Sequence, residues 1–494
     1  MKQITLDDTK QRLKAGIDKL ANIVKVTMGG AGKNVIIRDA SFGYVSIIND
    51  GINIAKEVEL DDVVENTGAM LAKLAAHKTN EEAGDGTTST IVLLQAYLNE
   101  MMKIKTKDQR GLREEIKGKI DFIVNTIDQQ KKEAEGRDLY KVALNSALDE
   151  EIAEVVVEVV EKIGKDGVFN IFESSTTGIQ TEVIDGIKLD DGFITPYFIN
   201  NQDNGKAEFS NVPVLLLDKP VNTIHQLLTL MDGMLKAGEN SMVIFANRIS
   251  DDVTNFLLTN KAQGKFQSCV VKTDNFDELE LITGARAGSD FTPESLGRAG
   301  SIIISGKETI VSADESQREA IGLKIEALKS QLKENPDLKD KISRLENGIA
   351  TLRIGGHNMQ EAKERKYKLE DAMNAVMSAI DDGIVEGGGM TLYRISETIK
   401  DRSQSSKLIK EVLKAPLKQI IENGEDNFSE VIKGYKDDKG YNVVKREWED
   451  LFVSGVIDPA KVVKSSLSNA FSYGNQILTV EAGIIEENHK DLTK

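Results

Sequence analysis

The sequence predicts a multidomain α/β chain in which an α/β module is inserted into a mainly helical one. Three observations carry that expectation. Apolar residues recur at helical spacing through the first part of the chain. Four short apolar runs between residues 214 and 305 alternate with helical segments. Helical periodicity then resumes from residue 359 toward the end. The order helical, α/β, helical places one domain inside a discontinuous one.

Taken in order, residues 9–26 form the first helix, with Leu13, Ile17, Leu20 and Val24 on one face. The break Thr27-Met28-Gly29-Gly30-Ala31-Gly32 follows. Residues 34–38 and 44–48 read as two short strands about a turn at Phe42-Gly43. Residues 68–83 are helical. The loop Ala83-Gly84-Asp85-Gly86-Thr87-Thr88-Ser89 then leads into an apolar helix over 91–102. Helices continue to about residue 164, packed by Val155-Val156-Val157 and Val159-Val160. Near residue 185 the character changes. Residues 214–217, 242–246, 269–272 and 301–305 read as buried strands, with helices over 222–236 and 250–263 separating the first three. Residues 316–347 read as a helical hairpin broken at Pro336. A helix over 359–381 follows, Gly387-Gly388-Gly389 interrupts, and helices dominate thereafter.

A chain of 494 residues has room for roughly three domains. Its 40% hydrophobic and 29% charged residues fit a globular protein rather than a disordered one. The net charge of −17 argues against nucleic acid or an anionic membrane as partner, since both need a concentrated positive surface. The opening MKQITLDDTK lacks a signal-peptide pattern, and no run approaches the length of a membrane span. The single cysteine, Cys269, sits in an apolar stretch and reads as a buried small side chain; a chain with one cysteine fits a reducing cytoplasm. The four histidines lie far apart, which leaves no zinc-like spacing.

Two loops look suited to phosphate. Gly29, Gly30 and Gly32 let the main chain approach a ligand closely. Asp85-Gly86-Thr87-Thr88-Ser89 precedes a helix, whose free N–H groups attract anions. An aspartate there repels phosphate unless it holds a cation, so Asp85 reads as a magnesium ligand. Taken alone, the plainer reading is that Asp85 and Thr87 cap the helix. Neither loop is a Walker A motif, because Gly32-Lys33 is followed by Asn34.

Longer blocks add to this. Residues 32–98, with SFGYVSIINDGINIAKEVELDD and AGDGTTSTIVLLQAYL, are similar to the N-terminal equatorial segment of group I (GroEL-like) chaperonins. GFITPYFIN, LEDAMNAVMSAIDDGIVEGGG, APLKQIIENGED, GYNVV and GVIDPAKV follow in the family's order. The resemblance covers essentially the whole chain, which is identified as a divergent member.

The resemblance implies the chaperonin fold and an ATP-dependent subunit. Such a subunit binds non-native polypeptides in a ring cavity and promotes their folding through ATP-driven domain movement. It implies ATP and Mg²⁺ as cofactors, a homo-oligomeric sevenfold ring or stacked rings, a lid co-chaperonin among the partners, and a cytoplasmic location. Residues 1–132 and 383–494 would be the equatorial domain, 133–185 and 349–382 the intermediate domain, and 186–348 the apical, polypeptide-binding domain. Met28, Gly29, Gly30, Gly86, Thr87, Thr88 and Ser89 would line the phosphates, and Asp85 would hold magnesium. Gly387, Gly388, Asn442, Val443, Val444 and Asp458 would hold the adenosine part. Asp50 and Asp371 match the family's catalytic aspartates; either one alone would read as a surface carboxylate. Phe193, Tyr197, Phe198, Leu228, Met231 and Leu258 match the apolar groove, although by themselves they would read as core. Gly186, Gly348 and Gly383 match hinges.

The chain departs from the family at several points. Asn49 stands where a lysine usually precedes the first catalytic aspartate, and Gly29-Gly30 replaces glycine-proline. Thr254 and Thr259 stand at apolar groove positions, and the terminal Gly-Gly-Met tail is missing. Three readings follow: an ATP-driven foldase, a ring-forming holding protein with weak or no hydrolysis and no need of a lid, and a soluble phosphotransferase.

Overall fold

The structure, a computed structural model, describes residues 2–4, 6–38, 45–164, 167–174, 176–184, 186–202, 205–221, 224–288, 291–317, 319–323, 326, 349–436, 438–480 and 483–485. The turn at Phe42-Gly43, most of the hairpin expected over 316–347, and Gly348 lie outside these residues. The chain divides into two compact units. One comprises Met1–Glu158, Ser175–Thr177 and Gly355–Lys494; the other comprises Val159–Ser174 and Gly178–Ile354.

The first unit is mainly helical. Helices Leu6–Val24, Val63–Ala83, Thr87–Lys103, Gln109–Gln130, Gln404–Asn423 and Ala460–Thr479 share a core containing Ile17, Leu20, Ala72, Ala76, Ile91, Leu94, Ile116, Ile409 and Leu467. Leu13, Ile17, Leu20 and Val24 are all buried, as their spacing predicts. Small residues set how closely the helices cross. A Cβ on Gly16 would lie 1.7 Å from Glu65 O, and one on Gly68 2.0 Å from Leu13 O. Larger side chains would force Leu6–Val24 and Val63–Ala83 apart and open the core between them. Strands Val35–Arg38 and Val45–Ile48 pair antiparallel, matching the expected hairpin within a residue at each start. Strand Lys2–Ile4 pairs antiparallel with Gly483–Ile485, a contact between segments far apart in sequence.

The second unit is built on a six-stranded mixed sheet. Its order is Gly186–Leu189, Thr309–Ala313, Gly297–Ile304, Ala207–Leu217, Ser241–Ala246 and Gln267–Lys272. The first four strands pair antiparallel; the last three are parallel, joined through helices Ile224–Lys236 and Asp251–Ala262. All four predicted strands are present. Val214, Leu215, Leu216 and Leu217 are fully buried, as a continuous apolar run covered on both faces should be. A three-stranded sheet of Val168–Ser174, Ile349–Gly355 and Gly178–Ile184 completes the unit. Cys269 is buried and free. Among the described residues, no helix is long and apolar enough to cross a membrane.

Candidate functional site

Helices Gly51–Glu57 and Val63–Ala83 are closed at their N-termini by side chains. Asp50 accepts from Ile52 N–H and Asn53 N–H, and Asp62 from Val64 N–H and Glu65 N–H. Helix Thr87–Lys103 is different. Its cap is Gly86 at φ +89°, and no side chain closes it. Asp85 instead accepts from Gly86 N–H at 2.5 Å. The plainer expectation, that Asp85 and Thr87 merely cap this helix, is not what the structure shows. The N–H groups of Thr87, Thr88 and Ser89 keep their capacity for an anion. Gly86 is also crowded: a Cβ there would lie 2.5 Å from Ser466 Oγ and 2.8 Å from Val462 Cγ1. Ser466 and Thr90 donate to Gly86 O at 3.1 and 3.0 Å, which fixes the loop from beneath.

The other glycine loop is closed by its own turn bonds. Gly32 N–H donates to Gly29 O at 2.8 Å and Lys33 N–H to Val26 O at 2.7 Å. Asn423 fastens it, donating to Lys25 O and Met28 O at 2.9 Å each. Met28 packs into a core with Val92, Ile420 and Val443, so the loop offers main chain rather than that side chain. A Cβ on Gly30 would lie 2.9 Å from Val444 Cγ2, which sets this loop against the turn after Asn442.

Four carboxylates converge on these loops. Asp371 stands on helix Met359–Asp382, which packs on the Asp85 loop. A Cβ on Gly84 would lie 2.1 Å from Asn374 Cβ, and Ser378 donates to Ala83 O at 2.8 Å. Asn374 is three residues beyond Asp371, hence on the same helix face. Asp50 precedes Gly51, where a Cβ would lie 2.0 Å from Thr88 Oγ1. Asp458 Oδ1 would lie 2.9 Å from a Cβ on Gly387, and the carboxylate accepts from Gly388 N–H. Each carboxylate is partly open to solvent yet surrounded by protein on most sides.

Burial therefore raises the pKa of all four. They also raise one another. Asp50 and Asp85 add to burial in pushing Asp371 well above the ordinary carboxylate range, and Asp50 acts on Asp85. Burial and then Asp85 push Asp458 up to about 7. Main-chain donors and Lys56 oppose the rise at Asp50, and Lys56 opposes it at Asp371. Such a group of acids suits a cation. Among the described residues no set of three or more side chains forms a ready metal site.

On the far side, the turn after Asn442 is held by Asn442 itself. Its Oδ1 accepts from Val444 N–H at 3.0 Å and Lys445 N–H at 3.2 Å, and its Nδ2 donates to Glu449 at 2.7 Å. Asn442 thus shapes the turn rather than standing free. Val443 is buried in the core, whereas Val444 is 67% exposed.

The model of the TCP-1/cpn60 chaperonin family matches residues 20–488. The chain belongs to that family. It is similar in fold to the chaperonin gp146 of bacteriophage EL 2 (Pseudomonas aeruginosa), crystallised in the presence of ATP-BeFx. In crystal form II the TM-score is 0.65 at 19% identity, covering 99% of this chain and 100% of that one. In crystal form I the TM-score is 0.64 at 19% identity, covering 98% and 99%.

In this chaperonin the six expected groove residues differ sharply in exposure. Tyr197 is 79% exposed and Leu228 40%. Phe198 and Met231 are buried in the core of the unit, and Phe193 and Leu258 are partly buried against it. Leu235, two turns beyond Leu228 on the same helix, is exposed as well; its spacing would have marked it. Thr254 and Thr259 donate their hydroxyls to Ser250 O and Asn255 O within their own helix, which satisfies their polarity locally. Of the expected hinges, Gly186 packs closely, a Cβ lying 2.2 Å from Ile349 Cδ1. Gly383 ends helix Met359–Asp382 at φ +81°.

Proposed function

We propose that this chaperonin subunit binds ATP and magnesium in the cleft around Asp85, hydrolyses the nucleotide with Asp50 and Asp371, and couples turnover to capture and release of non-native polypeptides. The observation that supports this reading best is the helix start at Gly86-Thr87-Thr88-Ser89. It is left open by its own cap, Asp85 stands beside it, and the Asp371 helix packs on the same loop.

The residues divide the work. The Thr87, Thr88 and Ser89 N–H groups and the Gly29-Gly30 main chain cradle phosphate oxygens. Asp85 would hold the metal. Magnesium, when bound, would neutralise charge building on the phosphates and favour ionised carboxylates around it. Asp371, once ionised, accepts a hydrogen bond from the attacking water and orients it; Asp50 shares that task while capping its own helix. Val444 and the Gly387-Gly388 main chain face the adenosine part. Exposed Tyr197, Leu228 and Leu235 offer apolar surface to unfolded chains, which expose the same. The equatorial, intermediate and apical division, a sevenfold ring and a lid partner belong to the same proposal.

The test is purified protein with magnesium and ATP: nucleotide titration, phosphate release and native mass together. ATP binding with turnover in a large ring supports the reading. A monomer without nucleotide affinity sinks it. A ring that binds ATP without turnover selects the holding-protein reading, which Asn49 favours because a positive charge usual beside the phosphates is missing.

A further inference from the structure

We propose that Lys261 is a positioning residue for polypeptide capture, its ammonium tying the Tyr197 segment to helix Asp251–Ala262 and holding the tyrosine ring outward as a preformed anchor. The proposal rests on the reading of Tyr197 as client-binding. Lys261 Nζ donates to Tyr197 O at 2.8 Å and to Ile199 O at 2.6 Å. These carbonyls flank Phe198, which is fully buried, so the segment is pinned from below by a ring and from the side by an ammonium.

The segment needs that second fastening. Pro196–Phe198 is a single tight helical turn, closed by Phe198 N–H to Thr195 O at 3.2 Å and Ile199 N–H to Pro196 O at 3.0 Å. Upstream it hangs on the edge strand Gln267–Lys272 through Ile194 N–H to Val270 O at 3.1 Å. Among the described residues no other donor reaches Tyr197 O or Ile199 O. Lys261 stands in the last turn of its helix, where a positive charge is favoured by the helix dipole. It is partly buried and makes no ion pair with a carboxylate among the described residues, so the two carbonyls offset its desolvation. Burial lowers its pKa in keeping with that setting. A ring held in place before binding spares the ordering cost that a loose segment would add at each encounter.

The experiment is a double-mutant cycle read by binding of a reduced, carboxymethylated polypeptide. Lys261→Met keeps the aliphatic stem and removes the donors. It should weaken capture about 3–10-fold, the size of ordering one or two side chains at binding. Lys261→Arg should restore most of it. Amide exchange over residues 197–201 should accelerate in Lys261→Met while the melting temperature stays unchanged. In a Tyr197→Ala background, Lys261→Met should have no further effect, because there is no ring left to position. If Tyr197→Ala weakens capture and Lys261→Met does not, or if the two losses simply add, the positioning role is wrong. If Tyr197→Ala itself captures as well as wild type, the client-surface reading fails and the proposal goes with it.

Discussion

Around Asp85 the groups proposed to work are main-chain N–H groups and carboxylates, set by glycines with little room for a Cβ. Around Tyr197 they are side chains that matter only where they reach solvent. The first site is rigid because neighbours crowd it: Gly51 against Thr88, Gly84 against Asn374, Gly86 against Ser466. The second must stay adaptable, and it is spread over a short turn and two helices of the other unit. Substitutions should therefore act differently in the two regions. In the cleft, replacing Asp85 or Asp371 should alter chemistry with little change in fold, and on the surface substitutions should separate neighbours in sequence by their burial.

The largest effect is expected in the cleft. Asp371→Ala should lower ATP turnover by about 10²–10⁴-fold, the usual value of a group that accepts a proton or positions water. ATP affinity should stay within a few-fold, because the proposed phosphate cradle lies on other elements. Asp85→Ala should instead lose magnesium-dependent binding. Nucleotide titration and phosphate release at one magnesium concentration distinguish the two. Wild-type turnover in Asp371→Ala would falsify its catalytic role.

The next contrast lies between two adjacent residues. Phe198→Ala should cost about 3–5 kcal/mol of stability, because a fully buried ring leaves a cavity. Tyr197→Ala should change stability by no more than about 0.5 kcal/mol, yet reduce polypeptide capture. Denaturant midpoints and a binding assay on both variants measure this. Equal destabilisation by the two would erase the distinction between anchor and core.

A third effect concerns pH. Without metal or nucleotide, Asp458 is held near 7 rather than 3.8 by burial and by Asp85. The folded state then keeps this proton when the unfolded chain has lost it. This group's contribution to stability is full below about pH 4 and declines as pH rises toward 7. Asp458→Asn should thus be more stable than wild type at pH 8, by up to about 4 kcal/mol, and the gap should narrow as pH falls toward 5. Denaturation in EDTA at several pH values measures it. A gap that widens on acidification would mean that Asp458 is stabilised as the anion, contrary to its setting.

How much of this was legible in the sequence follows the same division. Gly86 and the residues after it could be read as a phosphate loop through the longer blocks around them, since the loop taken alone reads as a helix cap. The strands over 214–217, 242–246 and 269–272 could be read because burial on both faces writes an unbroken apolar run. Gly186–Leu189 and Thr309–Ala313 could not, being short, mixed in polarity and stabilised by antiparallel neighbours distant in sequence. Nor could exposure. Leu228 and Met231 lie one turn apart on one helix, and only the sheet beneath decides which is covered. Lys261 gave no signal, since its acceptors lie 64 and 62 residues away. That Asp50 caps a helix was equally hidden behind its apparent place after a strand.

The smallest effect returns to the cleft and tests whether exposure discriminates there too. Val443 and Val444 are neighbours on one turn, and both were expected to line the adenosine part. Val443 packs in the core with Met28 and Ile420, and a Cβ on Gly424 would lie 2.4 Å from its Cγ2. Val444 points past Gly30 toward solvent. Val443→Ala should therefore cost stability, about 1.5 kcal/mol for the burial of two methyl groups at about 0.8 kcal/mol each. Val444→Ala should leave stability within about 0.5 kcal/mol. If an adenine ring covers about half of those methyls, ATP and ADP should each bind about 2–4-fold more weakly to Val444→Ala. Pyrophosphate, which has no base to pack, should bind as before. An unchanged affinity for ATP in Val444→Ala would remove the valine from the site. The turn would then serve through its main chain alone, as is proposed for the loops around Asp85.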